Sequence, residues 1–342
     1  MAKSPQKTKI EPFLVRGGAA YRCFGDGLCC TDIHGLGPVT KHEAKELRTL
    51  SADPVVDQDG EIMLRVVASG GCGFLQEDLL CKIHAERGIQ AKPEGCRRFP
   101  FRLTATPDGG RVTAQHRCPC RTMGDRPEFD LAEAKEALRG GNGQSRPDAR
   151  IDGSIPIDKQ KRMKFEKWKT IEAELLARLS RDQNPEAVLD ARPFPVLRGT
   201  TWKRVATEML ESEDDGTAFA KALRWVGEAL MAVHDDRPMD VKVRPWASAF
   251  ERAAKRPGER SPEEVLSDWL ADEIWCLEWS QRLPWNLARR DYASRLAIAG
   301  AIRNHLSSLG VPPGQAAAES LTILDAVCES QWWEDVTTDM VP

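Results

Sequence analysis

The sequence predicts an α+β protein in which a small, irregular, cysteine-rich module with a β-hairpin precedes a mainly α-helical domain. Eight of the ten cysteines lie between Cys23 and Cys120, among glycines and prolines that favour irregular backbone. Beyond residue 157, apolar residues recur every three or four positions, the period of an amphipathic helix. We therefore expect a flexible lead-in over residues 1–20, the cysteine module over 21–138, a linker over 139–157 and the helical domain over 158–342.

Within the module, three patterns predict regular structure. Thr40 and Glu43 have the spacing of a capping box, which predicts a short helix ending near residue 50. Residues 61–68 are rich in β-branched and large apolar side chains, as in a strand. Residues 101–106 and 111–116 flank an Asp-Gly-Gly turn, a pattern typical of a β-hairpin. The hairpin would bring the last two clustered cysteines back toward the earlier ones.

The linker is indicated by a glycine-rich run at residues 140–143 that has no apolar anchors. Asn184 followed by Pro185 predicts a helix start, as does Ser261 followed by Pro262. Tryptophans are concentrated in the helical domain, either as core side chains or as stacking surfaces of a groove; helical spacing favours the core. The longer predicted helices cover residues 158–179, 217–233, 261–274, 286–309 and 316–328.

Composition narrows the class of protein. The formal net charge of −3 argues against a dedicated nucleic-acid binder, so we expect no nucleic-acid partner. No apolar run reaches the roughly 20 residues that a membrane-spanning helix needs, so we expect no membrane association. The first ten residues are basic but lack the apolar segment of a signal peptide. We therefore expect a cytoplasmic protein, whose helical domain is available to recognise a protein partner or substrate.

The compartment decides how the cysteines are interpreted. A reducing cytoplasm disfavours disulfides, so clustered thiols indicate metal ligands. A thiolate site for zinc needs four sulfur or nitrogen ligands at about 2.3 Å. The two remaining cysteines, Cys276 and Cys328, are expected to be buried small apolar side chains. The expected ligands are Cys23, Cys29, Cys30, Cys72, Cys81, Cys96, Cys118 and Cys120, with Asp26 and His84 in reserve.

Several alternatives stay open within this set of ligands. Adjacent cysteines usually point in different directions, so Cys29 and Cys30 would serve different metals, or only one would bind. The set is large enough for two sites, or for one cluster with further thiols beside it. His84 is either a ligand or a hydrogen-bond donor to a ligand. His34 and His116 are expected at the surface or beside ligands.

The cysteine pattern resembles the YkgJ-type cysteine-cluster family, whose proteins contain Cys-x2-Cys-x2-Cys-Cys. Cys23, Cys29 and Cys30 match three of those four places, and Asp26 stands in the remaining one. The motifs Cys72-x-Phe-Leu, Cys81-x-Ile-His84 and Pro93-x-x-Cys96-Arg-x-Phe-Pro100 resemble the family's downstream signature. The resemblance implies chelation of zinc or iron. Asp26 would then coordinate as a carboxylate, which favours a harder metal or a labile position, or would serve only to form a turn.

The order and spacing of Cys81, Cys96 and Cys118 are also similar to a longer branch, flagellin lysine-N-methylase. That resemblance implies an alternative activity, protein-lysine N-methylation with S-adenosylmethionine. Against it, the sequence lacks a glycine-rich strand-to-helix loop for a nucleotide-like cofactor. The primary prediction is a metal-binding cysteine-cluster protein whose thiolates hold an iron–sulfur cluster or zinc; whether it is also an enzyme is left open.

Overall fold

The computed structural model describes residues 8–58, 60–255 and 258–341. It confirms the predicted fold class, because a small sheet region with a hairpin near the N-terminus precedes a mostly helical part. Residues 1–7 of the predicted lead-in and residue 342 of the predicted helical domain lie outside the described residues. Among the helices described, none combines the length and the apolar character that crossing a membrane requires.

The strands are β1 (Phe13–Val15), β2 (Val55–Gln58), β3 (Glu61–Leu64), β4 (Phe101–Ala105), β5 (Gly110–Ala114), β6 (Ala149–Arg150), β7 (Ser154–Pro156) and β8 (Arg162–Lys164). The helices of the first part are α1 (Lys41–Leu47), α2 (Lys82–Arg87), α3 (Glu94–Arg98), α4 (Pro119–Thr122) and α5 (Leu131–Leu138). The helices that follow are α6 (Phe165–Asp182), α7 (Pro185–Leu189), α8 (Trp202–Glu211), α9 (Ala218–Asp235), α10 (Ala247–Ala253), α11 (Pro262–Cys276), α12 (Trp285–Ser308), α13 (Pro313–Cys328) and α14 (Gln331–Asp339).

The predicted hairpin is present and forms the centre of a four-stranded sheet with the order β1-β5-β4-β6. β4 and β5 are antiparallel, with Phe101 opposite Ala114 and Ala105 opposite Gly110. β1 lies parallel to β5 on the other side. A Cβ atom on Gly109 would lie 2.3 Å from the backbone oxygen of Pro12, so only glycine permits this close approach.

Two segments that we expected to be loosely attached contribute to the fold. The lead-in contains β1, in which Phe13 is buried. The expected linker contains β6, which pairs with β4, and Ile151 and Ile155 are both buried. The glycine-rich run at 140–143 suggested flexibility, but the apolar residues after it gain more by packing against the sheet and helices than by remaining exposed.

The predicted helix starts are confirmed where capping chemistry indicated them. Capping boxes begin α1 at Thr40 and α11 at Ser261, and the Asn184 side chain accepts from the backbone of α7. The helix expected from residue 158 begins later, at Phe165, because β8 pairs with β7 just before it. The core interpretation of the tryptophans is confirmed for Trp168, Trp225, Trp246, Trp269 and Trp333, whose side chains are fully buried.

Buried ion pairs join the cysteine module to the helices. Arg121, which follows Cys120 in α4, contacts Asp268 and lies 2.5 Å from Asp272, both on α11. Arg16 also contacts both carboxylates, at 2.7 Å for Asp272. Burial would raise the pKa of Asp272, but the charges of Arg121 and Arg16 outweigh it and lower that pKa. Two arginines and two carboxylates therefore hold the end of the module against α11.

Glu273 and Asp325 form a second buried charged region, within the helices. Burial, followed by the charge of Asp325, raises the pKa of Glu273 to about 8. Burial, followed by the charge of Glu329, raises the pKa of Asp325 to about 7. The hydroxyl of Tyr292 donates to Glu273 at 3.2 Å. The folded state therefore favours the protonated form of both carboxyl groups.

The ion pairs around Asp272 predict a large loss of stability for Asp272→Asn. Removing this charge leaves Arg16 and Arg121 buried with one carboxylate between them, so we expect the free energy of unfolding to fall by about 3 kcal/mol or more. Urea denaturation measures the change. Asp182→Asn, which removes an exposed partner of Arg181, is the matched control and is expected to have little effect. Equal effects of the two substitutions would contradict the structural role of Asp272.

The raised pKa of Glu273 predicts that replacing this residue changes the stability of the protein by an amount that depends on pH. Because its pKa in the folded state lies above the ordinary value, its contribution to stability is complete at low pH and is lost as the pH rises through about 8. Glu273→Gln removes this titration, so we expect the stability of the variant relative to the native protein to increase between pH 5 and pH 9. The expected increase is at least about 1.4 kcal/mol, the equivalent of one pKa unit.

Urea denaturation at the two pH values measures this difference. Glu174→Gln, on an exposed position of the same protein, is the control. If the difference in free energy of unfolding between Glu273→Gln and the native protein is the same at both pH values, Glu273 is ionised in the folded protein.

Candidate metal centre

All ten residues predicted as ligands border one cavity of about 180 Å³. The cavity is closed mainly by apolar side chains, including Tyr21, Phe74 and Phe99. The ten cysteines all lie in the described part of the chain, and each is a free thiol. The predicted ligands that border the cavity are Cys23, Cys29, Cys30, Cys72, Cys81, Cys96, Cys118, Cys120, Asp26 and His84.

A short glycine-containing loop supplies three of the thiols. Gly25 and Gly27 have φ angles of +69° and +79°, which allow the chain to curl before the 3-10 turn Leu28–Cys30. Side chains at these positions would also crowd Leu79 and Leu80, which lie about 3.2 Å from the Cβ position. The backbone N–H of Cys72 donates to the backbone oxygen of Cys30 at 2.7 Å. This hydrogen bond ties the next cysteine segment to the loop.

Short helices supply four of the other thiols. Cys81 directly precedes α2, and Cys96 lies within α3. Cys118 directly precedes α4, and Cys120 is its second residue. The hairpin of β4 and β5 carries the chain back to this point, as the sequence predicted. Short helices with cysteine at or near the first turn thus direct sulfur atoms from distant segments into one space.

One part of the cavity, which we call the Asp26 group, consists of Asp26, Cys23, Cys118 and Cys120. Asp26, Cys118 and Cys120 each offer one atom that could coordinate a metal. These three atoms lie within 4.8 Å of one another, close enough to share a metal ion. The Sγ of Cys120 donates to Oδ2 of Asp26 at 2.7 Å, and the backbone N–H of Leu28 donates to Oδ1 at 2.8 Å. The side chain of Asp26 is buried and points at the thiols. Asp26 is therefore positioned to coordinate a metal ion as well as to form a turn.

Burial and contacts with one another and with nearby negative charges raise the pKa of each thiol in the Asp26 group. The contact with Cys120, followed by burial, raises the pKa of Cys23. The contact with Cys118 raises the pKa of Cys120, as does burial. For Cys118 the contact with Cys120 acts in the opposite direction, but burial and nearby negative charges raise its pKa overall. Metal binding would displace the protons of these thiols, since the thiolate is the form that coordinates.

The rest of the cavity contains the Lys92 group, which consists of Cys29, Cys30, Cys72, Cys81 and Cys96 around Lys92. The Sγ atoms of Cys29 and Cys30 are 3.9 Å apart. Four sulfurs arranged tetrahedrally at about 2.3 Å from one ion would be separated by about 3.8 Å. The expectation that adjacent cysteines point apart is therefore wrong for this pair, because the 3-10 turn brings the two side chains together.

Lys92 is a member of the site that sequence reasoning missed. Burial would lower its pKa, but the charges of Cys29, Cys81, Cys30 and Cys96 outweigh burial and raise it. Its ammonium group therefore compensates for part of the negative charge of several thiolates. The signal in the sequence was weak, since Lys92 is only the residue before the Pro93-x-x-Cys96 motif.

The histidines occupy different environments. His84 is exposed at the margin of the cavity, so its role as ligand or neighbour remains a prediction. His34 is buried against Phe99, at 5.3 Å between ring centroids, and does not border the cavity. His116 is buried and lies 3.0 Å from Asp272, and burial lowers its pKa to about 4. A surface location is therefore wrong for His34 and His116.

Comparison with known proteins agrees with this geometry. Residues 22–129 match the family model CxxCxxCC, described as a "Putative zinc- or iron-chelating domain". No curated protein and no solved structure matches the chain. The matched segment contains all eight cysteines of the cavity together with Asp26, His84 and Lys92. Both the family model and the clustered donors support metal chelation by this part of the chain.

The site predicts that cysteine substitutions separate into two classes. Cys118→Ala with Cys120→Ala removes two donors of the Asp26 group, so we expect the metal bound per chain to fall. Cys276→Ala changes a thiol buried away from the cavity and is the matched control. Elemental analysis gives the metal content, and circular dichroism checks that each variant is folded. The same metal content in the double variant and the control would contradict the ligand assignment.

Proposed function

We propose that this protein binds an iron–sulfur cluster through the thiolates of the 180 Å³ cavity. The observation that carries the proposal is the convergence of eight free thiols from distant segments on that cavity. Cytoplasmic thiols gathered in this way, with no disulfide formed among the ten cysteines described, are best explained as ligands. The match of residues 22–129 to a zinc- or iron-chelating domain supports the same function.

The number of thiols around the cavity favours a cluster over a single zinc ion. A structural zinc ion uses only four ligands. Here more thiols than one ion can use surround an open volume, in an Asp26 group and a Lys92 group. Lys92 contributes a positive charge, which suits a centre with several thiolates. The competing hypothesis is that a zinc ion binds to the Asp26 group or to the Lys92 group.

In this proposal the helical part supports the centre and recognises a protein partner or substrate. The support rests on specific contacts. Arg121 beside Cys120 is held by Asp268 and Asp272 of α11. Arg252 of α10 donates to the backbone oxygen of Asp26 at 2.7 Å. Recognition of a partner follows from the size of a helical part that the chelating domain itself does not include.

Anaerobic purification tests the metal assignment. An iron–sulfur cluster is expected to give a broad visible absorption from sulfur-to-iron charge transfer, with iron and acid-labile sulfide in stoichiometric amounts. A thiol count on the folded protein, before and after metal removal, identifies how many cysteines the metal protects. A colourless protein with stoichiometric zinc would replace the cluster with zinc. Protein that binds neither metal would remove the proposed function.

Methyl transfer from S-adenosylmethionine, the activity implied by the resemblance to flagellin lysine-N-methylase, has no supporting observation in the structure. Calorimetric titration of the metal-loaded protein with S-adenosylmethionine tests that activity separately from metal binding.

A further inference from the structure

A second cavity, of about 380 Å³, meets the metal centre from the side of the helices. Asp26, Gly25 and Cys120 border both cavities. The other walls of this side cavity include Arg252 from α10 and Lys255, which follows that helix. The side cavity therefore reaches the corner of the centre where a carboxylate takes the place of a thiolate.

Arg252, in the wall of this side cavity, and Arg126, which contacts Phe24 and Cys120 of the same wall, each have one donor without a partner among the described residues. Arg252 uses Nη2 to reach the backbone oxygen of Asp26, while its buried Nε has no hydrogen-bond partner. Arg126 uses Nε to reach the backbone oxygen of Cys120 at 2.9 Å, while its buried Nη2 has no partner. The Arg126 guanidinium also lies 3.9 Å from the ring centroid of Phe24. Both side chains are therefore oriented, and each has a spare N–H group.

Neither arginine has a carboxylate partner. Arg126, Arg252 and Lys255 form no ion pair with any residue in the three described stretches of the chain. The contrast with Arg121 is direct, since Arg121 is equally close to the centre but contacts two carboxylates. Basic side chains that face a cavity without a carboxylate partner form a donor set that suits an anionic ligand.

Guanidinium groups bind carboxylate and phosphate oxygens with two parallel hydrogen bonds, and a lysine adds a point charge. Gly25, which has no Cβ, leaves the backbone of the loop accessible on the same wall.

We propose that the side cavity binds the oxyanion of a small ligand, a carboxylate or phosphate group, between Arg252 and Lys255, beside the Asp26–Cys120 corner of the metal centre. The position beside a metal rests on the proposed function, whereas binding of the anion is a property of the basic residues.

The test is calorimetric titration of the metal-loaded full chain with inorganic phosphate and, separately, with succinate. Charge-assisted hydrogen bonds predict that Arg252→Gln weakens binding about tenfold or more. Lys255→Gln is the more conservative variant, because Lys255 is exposed and contacts no ligand residue, and it is expected to weaken binding severalfold at unchanged metal content. Lys167→Gln, an exposed lysine on α6, is the matched control.

Tighter binding of phosphate identifies a phosphate group, and tighter binding of succinate identifies a carboxylate; both outcomes support the inference. Binding of neither anion to metal-loaded protein overturns it, and so does binding that is equal in Lys255→Gln, Arg252→Gln and the control. Metal content is measured on each sample independently. Loss of the metal centre alone would therefore be recognised as a failure of the proposed function and not of anion binding.

Discussion

The buried ion pairs between Arg121 and the carboxylates of α11 fix the position of Cys120, and the geometry of the metal centre depends on that position. Arg121 follows Cys120 in a helix of only four residues, which is too short to be stable by itself. Asp268 and Asp272 hold Arg121, and Arg16 shares the same two carboxylates. Because buried charges tolerate little displacement, this contact transmits the rigidity of the helices to the thiols.

Charge balance explains how so many thiols share one cavity. Each thiol that becomes a thiolate adds a negative charge in a poorly hydrated space, which burial alone would oppose. Lys92 supplies a positive charge on one side of the cavity, and Arg126 and Arg252 supply charge near the other. A metal supplies the rest. The protein therefore places cations around the centre at different distances, and those beside Asp26 keep donors free.

Residues outside the segment matched by the family model also hold the metal centre in place. The family model covers residues 22–129, but α10 and α11 provide Arg252, Asp268 and Asp272, which hold the loop and helix that carry the ligands. β1 precedes that domain and β6 follows it, and both strands pair with its hairpin. The helical part is thus not a separate unit, because the centre is built against it.

The sequence by itself determined what depends on local chemistry. The capping box at Thr40 and the Ser261-Pro262 pair located helix starts, an Asp-Gly-Gly turn located the hairpin, and cysteine spacing identified the residues that border the cavity. Only the tertiary structure decided which groups meet. Lys92 joins the thiols, Arg252 reaches Asp26, and residues 149–157 pack into the fold, because these contacts form between segments that no local pattern connects. The spacing of residues in the sequence indicates which side chains are candidate ligands, whereas long-range packing decides which other groups lie beside them.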